Sequence, residues 1–477
     1  MPTVPPSPNR SPLSAGFLRL PLYQRLLLVL VLFPAVLAGG TAGAFYLRMH
    51  QDAAAASVRE MPAFPAPRKN KHYLILAPHC DDETLAVGGF VADATRRGAT
   101  VSVAFLTNGD GFPAAATREL QTVSVSPGDY VRFAERRQAE ANRATRDLGV
   151  SPGNVYFLGY PDRGLRPLWE THWQTPYRSF YTGHTRSPYP VSYTPHTVYT
   201  GQSLQNDLVR LITVVQPTDV FVTHPADDHP DHSAAASFAQ VALRACALMP
   251  WAKNVQLHYY IVHRGDWPLP QGKHPDASLS PPRGLVYGDT RWRAYRLTQA
   301  AETAKAKALS RYVSQLHVSR RFLTSFVRTN ELFAEMPTPI VPANCAEWTK
   351  IAVDGRRDDI VRFVDPSADL TTVAIRRHTA NTITVQASVR GVADTARLRY
   401  TLLVRGSDGA VRTLLLSPTT DDVSAHTLTA TVLLTKADTP CLYVAVETRY
   451  QATASLPMRP VDRVGYRPVL LSATVAP

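Results

Sequence analysis

Four short apolar runs constrain this chain more than any other feature. Residues 73–77, 100–106, 155–158 and 220–223 are rich in Val, Ile, Leu and Phe and only four to seven residues long. Runs of that length and composition read as buried strands. Helix-like text separates them. It covers 83–97, then 131–148 with charges on one face and a stop at Gly149, then 230–249 with Pro230 in its first turn. Strands alternating with helices build βαβ units. The expected fold is therefore α/β, a Rossmann-like and mostly parallel sheet flanked by helices, over residues 71–345.

The flanking regions differ from this pattern. Six runs beyond residue 345 (370–377, 382–390, 397–405, 411–416, 427–434, 442–450) alternate apolar and polar residues, with turns such as Ser407-Asp408-Gly409 between them. This predicts an all-β sandwich as an accessory domain over 346–477. Residues 166–202, rich in Tyr, Pro, Thr, His and Trp, show no period; a loop that long in a compact domain usually serves function. At the other end, residues 26–47 form a run of 22 without a charge, between Arg25 and Arg48. A helix of that length spans a hydrocarbon core of about 30 Å. Ala42-Gly43-Ala44 offers a cleavage site, but the run exceeds the apolar segment of a leader. An uncleaved transmembrane anchor is expected, after a short basic tail (1–25) and before a Pro-rich linker (48–70). Arg10, Arg19 and Arg25 argue for a cytoplasmic tail, while Arg48 and Arg59 on the other side dilute that bias. The expected protein is single-pass in the cell membrane, with an extracytoplasmic catalytic domain.

Charge and cysteine content exclude other classes. The net charge is +13, and residues 1–71 carry eight basic side chains against two acidic ones. The remaining residues are only mildly basic and show no cationic stripe, so no nucleic-acid partner is expected. Four cysteines exclude a disulfide scaffold. Whether Cys345 and Cys441 pair stays open.

Two clusters carry chemistry. The first run ends at Pro78-His79-Cys80-Asp81-Asp82-Glu83, and the fourth at His224, followed by Asp227-Asp228-His229-Pro230-Asp231-His232. Open α/β sheets build their sites at the carboxyl ends of strands. Adjacent acids cannot all be buried without a balancing cation. His and carboxylate donors suit Zn²⁺, with Fe²⁺ as the alternative. Taken alone, the first cluster also reads as a capped helix start and the second as an acidic loop.

The residues 78–83 resemble the HPDDE motif of the PIG-L/LmbE zinc-dependent de-N-acetylases, and His229-Pro230-Asp231-His232 resembles that family's HPDH. Thr107-Asn108-Gly109, Arg137-Gln138-Ala139-Glu140 and Leu158-Gly159-Tyr160-Pro161-Asp162 match as well, and Tyr312-Val313-Ser314-Gln315 more weakly. The resemblance implies removal of an N-acetyl group from an N-acetylglucosamine-type sugar or glycan. It implies that His79, Asp82 and His232 bind zinc, that Asp81 is the general base, and that His229 protonates or stabilises the intermediate. Arg137 and Asp162 would hold sugar hydroxyls. Cys80 departs from the motif's proline; the expectation is that it packs away from the metal, with a Cys-ligated zinc or a redox-sensitive site as the alternative. Two alternatives remain at this point: a glycan-binding scaffold with an inactive metal site, motivated by Trp169, Trp173, Tyr177, Tyr181, Tyr189, Tyr193 and Tyr199, and an amidase acting on a thiol-sugar conjugate.

Overall fold

A computed structural model describes residues 36, 38–48, 51, 61–265, 267–285, 289–343, 347–355, 359–419, 425–451 and 460–472. The chain divides into two compact units, 1–52 and 53–477. In the first, residues 38–48 are helical. Half of the anchor expected over 26–47 lies outside the described residues. Among the described residues no helix is long and apolar enough to cross a membrane.

The second unit opens with β1 (His72–Ala77) and alternates from there: α1 (Asp82–Arg96), β2 (Thr100–Thr107), α2 (Pro113–Leu120), α3 (Pro127–Asp147), β3 (Val155–Tyr160), α4 (Leu165–Glu170), α5 (Gly201–Val215), β4 (Asp219–Thr223), α6 (Pro230–Cys246) and β5 (Gln256–Tyr260). β6 (Arg291–Arg296), α7 (Gln299–Leu309), α8 (Val313–Thr324) and β7 (Asn330–Glu335) complete the layer. The strand order is β3-β2-β1-β4-β5-β7-β6. The first five strands are parallel, and β7 and β6 close the sheet as an antiparallel edge. The order reverses between β1 and β4, which opens a crevice beyond their carboxyl ends. Both strands are buried almost throughout, because helices cover both faces.

The expected linker is not a free spacer where it is described. Phe64 packs its ring against Phe333 and His258, with centroids 4.7 and 4.9 Å away, and Phe64 N–H donates to the Ala294 carbonyl. Burying one such ring contributes about 2–3 kcal/mol, enough to hold the segment on the sheet.

The C-terminal part contains β8 (Ile340–Val341), β9 (Thr349–Val353), α9 (Ile360–Val364), β10 (Leu370–Thr379), β11 (Thr382–Val389), β12 (Leu398–Arg405), β13 (Val411–Leu415), β14 (Ser417–Pro418), β15 (Thr427–Leu433), β16 (Cys441–Tyr450) and β17 (Asp462–Leu471). They form two facing sheets, β14-β15-β11-β10-β9 and β13-β12-β16-β17-β8. All six expected runs are strands. β8 joins β17, so sandwich pairing begins at Ile340, ahead of residue 346.

Strand periodicity explains how the sandwich meets the rest. On β16, Leu442, Val444 and Val446 fill the sandwich core, while Cys441, Tyr443 and Ala445 belong to the α/β core. Successive side chains point to opposite faces, so this sheet is apolar on both. The accessory domain is therefore docked through its second face. Trp169 sits at the seam, fully buried against Tyr443 and Tyr466, and Arg405 stacks 3.6 Å from the Trp169 ring and 4.2 Å from that of Trp173. Cys80, Cys246 and Cys441 are buried free thiols; Cys345, and with it the question of pairing, lies outside the described residues.

Candidate metal centre and active site

The turn from β1 into α1 buries His79, Cys80, Asp81 and Asp82. Asp81 occupies the N-cap position of α1 but makes no capping hydrogen bond with its side chain. Its φ is 140°, a conformation that residues with a side chain avoid. A helix cap does not require that strain. The turn instead aims the Asp81 carboxyl at a cavity, 3.3 Å from the Arg137 guanidinium. Cys80 turns the other way, into the α/β core, as expected for a packing residue. It belongs to none of the groups of potential metal ligands among the described residues.

Three donor atoms converge here. His79 Nδ1 lies 3.1 Å from His232 Nε2 and 3.4 Å from Asp82 Oδ2, and His232 Nε2 lies 3.2 Å from the same Asp82 oxygen. A tetrahedral ion with bonds of about 2.0–2.1 Å holds its ligand atoms about 3.3–3.4 Å apart. The triangle matches that spacing. The far sides of both rings are also held. His232 Nδ1 is 3.2 Å from Asp227 Oδ2, and His79 Nε2 is 3.2 Å from Asp162 and 3.3 Å from Asp231. These carboxylates take the ring N–H groups and leave two lone pairs and a carboxylate oxygen facing one another. That is the carboxylate–histidine arrangement of a metal ligand, so the residues fit a divalent ion.

The electrostatics agree. Burial alone would lower both imidazole pKa values. The surrounding carboxylates raise His79 well above its usual range and His232 to about 9. Burial would raise Asp82, but His232 and His79 hold it well below its usual range. Without an ion, protons supply the positive charge this cluster needs. Asp81 behaves oppositely: burial raises it to about 7, against the pull of Arg137. A carboxyl poised there suits proton transfer at neutral pH.

His229 caps α6. Its Nδ1 accepts the Asp231 N–H at 3.3 Å. In the neutral ring the proton then sits on Nε2 and is available to the cavity that His229 lines. Burial, with His79 and His232 nearby, pushes its pKa well below the usual value. A neutral His229 with its proton on Nε2 can donate a hydrogen bond into the cavity.

The cavity measures about 200 Å³ and is lined by His79, Asp81, Arg137, Asp162, His229 and His263, among others. Arg137 and Asp162 reach it with most of their polar atoms engaged. Arg137 donates to the carbonyls of Gly109 and Cys80 at 2.9 and 2.6 Å. Gly109 (φ 65°) makes this approach feasible, since a Cβ there would lie 1.7 Å from the guanidinium. Asp162 accepts the Gly111 N–H and faces His79. Both residues therefore brace the site before any hydroxyl reaches them.

His263 escaped the sequence reading, and Asp227, Glu83 and Glu140, named there within motifs, were given no role of their own. His263 follows β5, and its ring lies 4.8 Å from that of His232. Asp227 accepts the N–H groups of Val262 and His263 besides holding His232. Glu83 accepts from Thr84 and Tyr312, and burial raises it to about 7. Glu140 accepts from the Ser314 N–H and Oγ. The weak match at 312–315 thereby gains a purpose: it ties α8 to the two motifs behind the cavity. His224 leaves the site altogether, stacking on Trp292 and facing Thr290. Within the aromatic insertion, Trp173, Tyr177, Tyr181 and Tyr193 are half-buried and Phe180 is exposed. Trp169, Tyr189 and Tyr199 are fully buried and present no face to a sugar.

Residues 74–243 match the family model PIG-L, described as GlcNAc-PI de-N-acetylase. Among solved structures, the antimicrobial reagent A40926 pseudoaglycone deacetylase is 19% identical, with 56% of this chain and 98% of that one covered and a TM-score of 0.37. The N,N'-diacetylchitobiose deacetylase from Pyrococcus horikoshii is 18% identical, with 56% and 84% covered and a TM-score of 0.35. The 4-carboxy-2-hydroxymuconate hydratase from Pseudomonas putida is 15% identical, with 54% and 82% covered and a TM-score of 0.33. At these values activity must be argued from the site itself.

Proposed function

We propose that this chain, whose residues 74–243 are a PIG-L domain, is a metal-dependent hydrolase that removes the acetyl group from an N-acetylated sugar or glycan. The carrying observation is the triangle formed by His79 Nδ1, Asp82 Oδ2 and His232 Nε2 beside the raised carboxyl of Asp81. Zinc is the ion this donor set fits best. When bound, it supplies a water that ionises near neutral pH and a positive charge for the acetamide oxygen.

The chain's own groups carry the rest. Asp81 takes the proton of the attacking water and is kept in place by Arg137. His229 donates its Nε2–H to the oxygen as negative charge develops, a preorganised donor in a water-poor site. The proton held on Asp81 then goes to the departing amine, which cannot leave as an anion. Arg137 and Asp162 would meet sugar hydroxyls with the hydrogen-bonding capacity they have left.

Acetate release from N-acetylglucosamine and its oligomers by the zinc-loaded chain tests this. Activity should be lost in Asp81→Asn and in His232→Ala. Activity unchanged in both variants ends the proposal. The uncharged run 26–47 supports a second part of it: a single-pass anchor in the cell membrane with the hydrolase outside. Protease shaving of intact cells should remove the hydrolase; full protection would contradict that orientation.

A further inference from the structure

His263 lines the catalytic cavity from the segment that follows β5, beyond the residues matched to the family. That segment is pinned in place. Asp227 Oδ2, which holds His232, also accepts the N–H groups of Val262 and His263, each at 3.0 Å. The Asp228 N–H donates to the His263 carbonyl at 2.8 Å, and the Asp228 carboxylate accepts the Gly265 N–H at 2.7 Å. Arg264 reaches back to the Ala226 carbonyl and across to Asp354 of the sandwich, both at 2.8 Å. The ring of His263 is fixed as well. It stacks on Phe322 of α8, with centroids 5.4 Å apart and planes 11° from parallel. One carboxylate, Asp227, thus supports both His232 and the backbone that presents His263.

The ring is held, yet its polar atoms are idle. His79, His229 and His232 each commit a ring nitrogen to the protein. Among the described residues neither ring nitrogen of His263 has a hydrogen-bond or ion-pair partner. One of them lies within 4.8 Å of the ligand atoms of Asp82 and His232. It bonds to neither, so it stands back from the spacing of about 3.3–3.4 Å that ligands of one tetrahedral ion keep. From there it faces what an ion would hold, not the ion. Every protonation state of an imidazole carries at least one N–H. A donor fixed in place with no partner in the protein is preorganised for one from outside. His229 stands in the same relation to the neighbouring side of the triangle, within 4.8 Å of the ligand atoms of His79 and His232.

We propose that His263 is a catalytic residue, donating a hydrogen bond to the acyl oxygen of the amide beside the one from His229. The proposal rests on the deacetylase reading and adds a second donor for the negative charge that develops on that oxygen. No proton leaves His263. The bonds made and broken stay those of water attack and amine departure, with Asp81 moving the proton.

The test uses the full zinc-loaded chain and N,N'-diacetylchitobiose. His263→Phe keeps the stack on Phe322 and removes the donor; His263→Ala removes both. In each, kcat should fall about 10²-fold, the scale of losing one oxyanion donor, with KM near the wild-type value. His263→Gln keeps an N–H and should regain part of the loss. Zinc affinity, read by titration, should match wild type in all three. An unchanged kcat in either donor-free variant overturns the proposal, because the ring then only packs. A fall in zinc affinity of about tenfold or more also overturns it, because the ring is then a ligand. A wild type that releases no acetate ends the deacetylase reading alone. Calorimetric binding of acetate to the zinc-loaded chain then decides His263. Acetate bound about tenfold more weakly by His263→Phe, the loss of one hydrogen bond, keeps the contact; equal binding removes it.

Discussion

The carboxyl edge of the parallel sheet and the seam with the sandwich are both buried, for opposite reasons. At the edge, carboxylates and imidazoles crowd together and are tolerated because each has a partner; Asp81 even holds a strained backbone there. At the seam, the contact is aromatic and aliphatic, with Arg405 held between two indole rings. The edge spends stability on a function, whereas the seam stores it. The two regions should therefore answer substitution differently.

Breaking the edge gives the largest expected effect. Asp81→Asn should lower kcat by about 10³-fold, on the scale of losing a general base and its positioning. The melting temperature should change far less than the activity, since Asn keeps the size and backbone of the residue. A parallel loss of folding would erase the distinction.

The seam comes next. Trp169→Ala empties a fully buried site and should cost about 3–5 kcal/mol, read by denaturant unfolding. Acetate release per folded molecule should fall far less than in Asp81→Asn.

A smaller effect probes the link between the regions. A Cβ on Gly465 of β17 would lie 2.1 Å from the Pro225 carbonyl oxygen, on the loop that leads to His229 and His232. Gly465→Ala should cost about 1–3 kcal/mol and weaken zinc binding in titration. Unchanged zinc affinity would show that the sandwich does not brace the site.

The smallest effect lies on the opposite edge of the sheet. Burial would raise Asp219, but His258, Lys71 and Thr218 hold it at about 2. A carboxylate lowered by folding contributes stability above its unfolded value near 4, and that contribution is lost as pH falls towards 2. The loss should be about 1–2 kcal/mol, and it should vanish in Asp219→Asn.

The same contrast explains what the sequence could show. β1, β2, β3 and β4 are apolar because both of their faces are covered, so they stand out as runs. β5 (QLHYY), β6 (RWRAYR) and β7 (NELFAE) form the sheet's less apolar side, and no run marks them. With β5 unseen, His263 had no strand end to belong to. The two clusters were legible because three carboxylates beside a histidine have no cheap structural use. Their supports were not: Asp227 and Glu140 work through partners 5 and 174 residues away in sequence. In the sandwich, alternation announced the strands, but a β16 strand apolar on both faces signals a docked sheet only once its partner is known.

The most direct measurement is anomalous X-ray scattering at the zinc edge from crystals of the zinc-loaded chain. One strong peak should lie within about 2.0–2.2 Å of His79 Nδ1, an Asp82 oxygen and His232 Nε2, with Asp81 near but not bound. A peak bound by Cys80 instead, or no peak between those three side chains, would contradict the proposed centre.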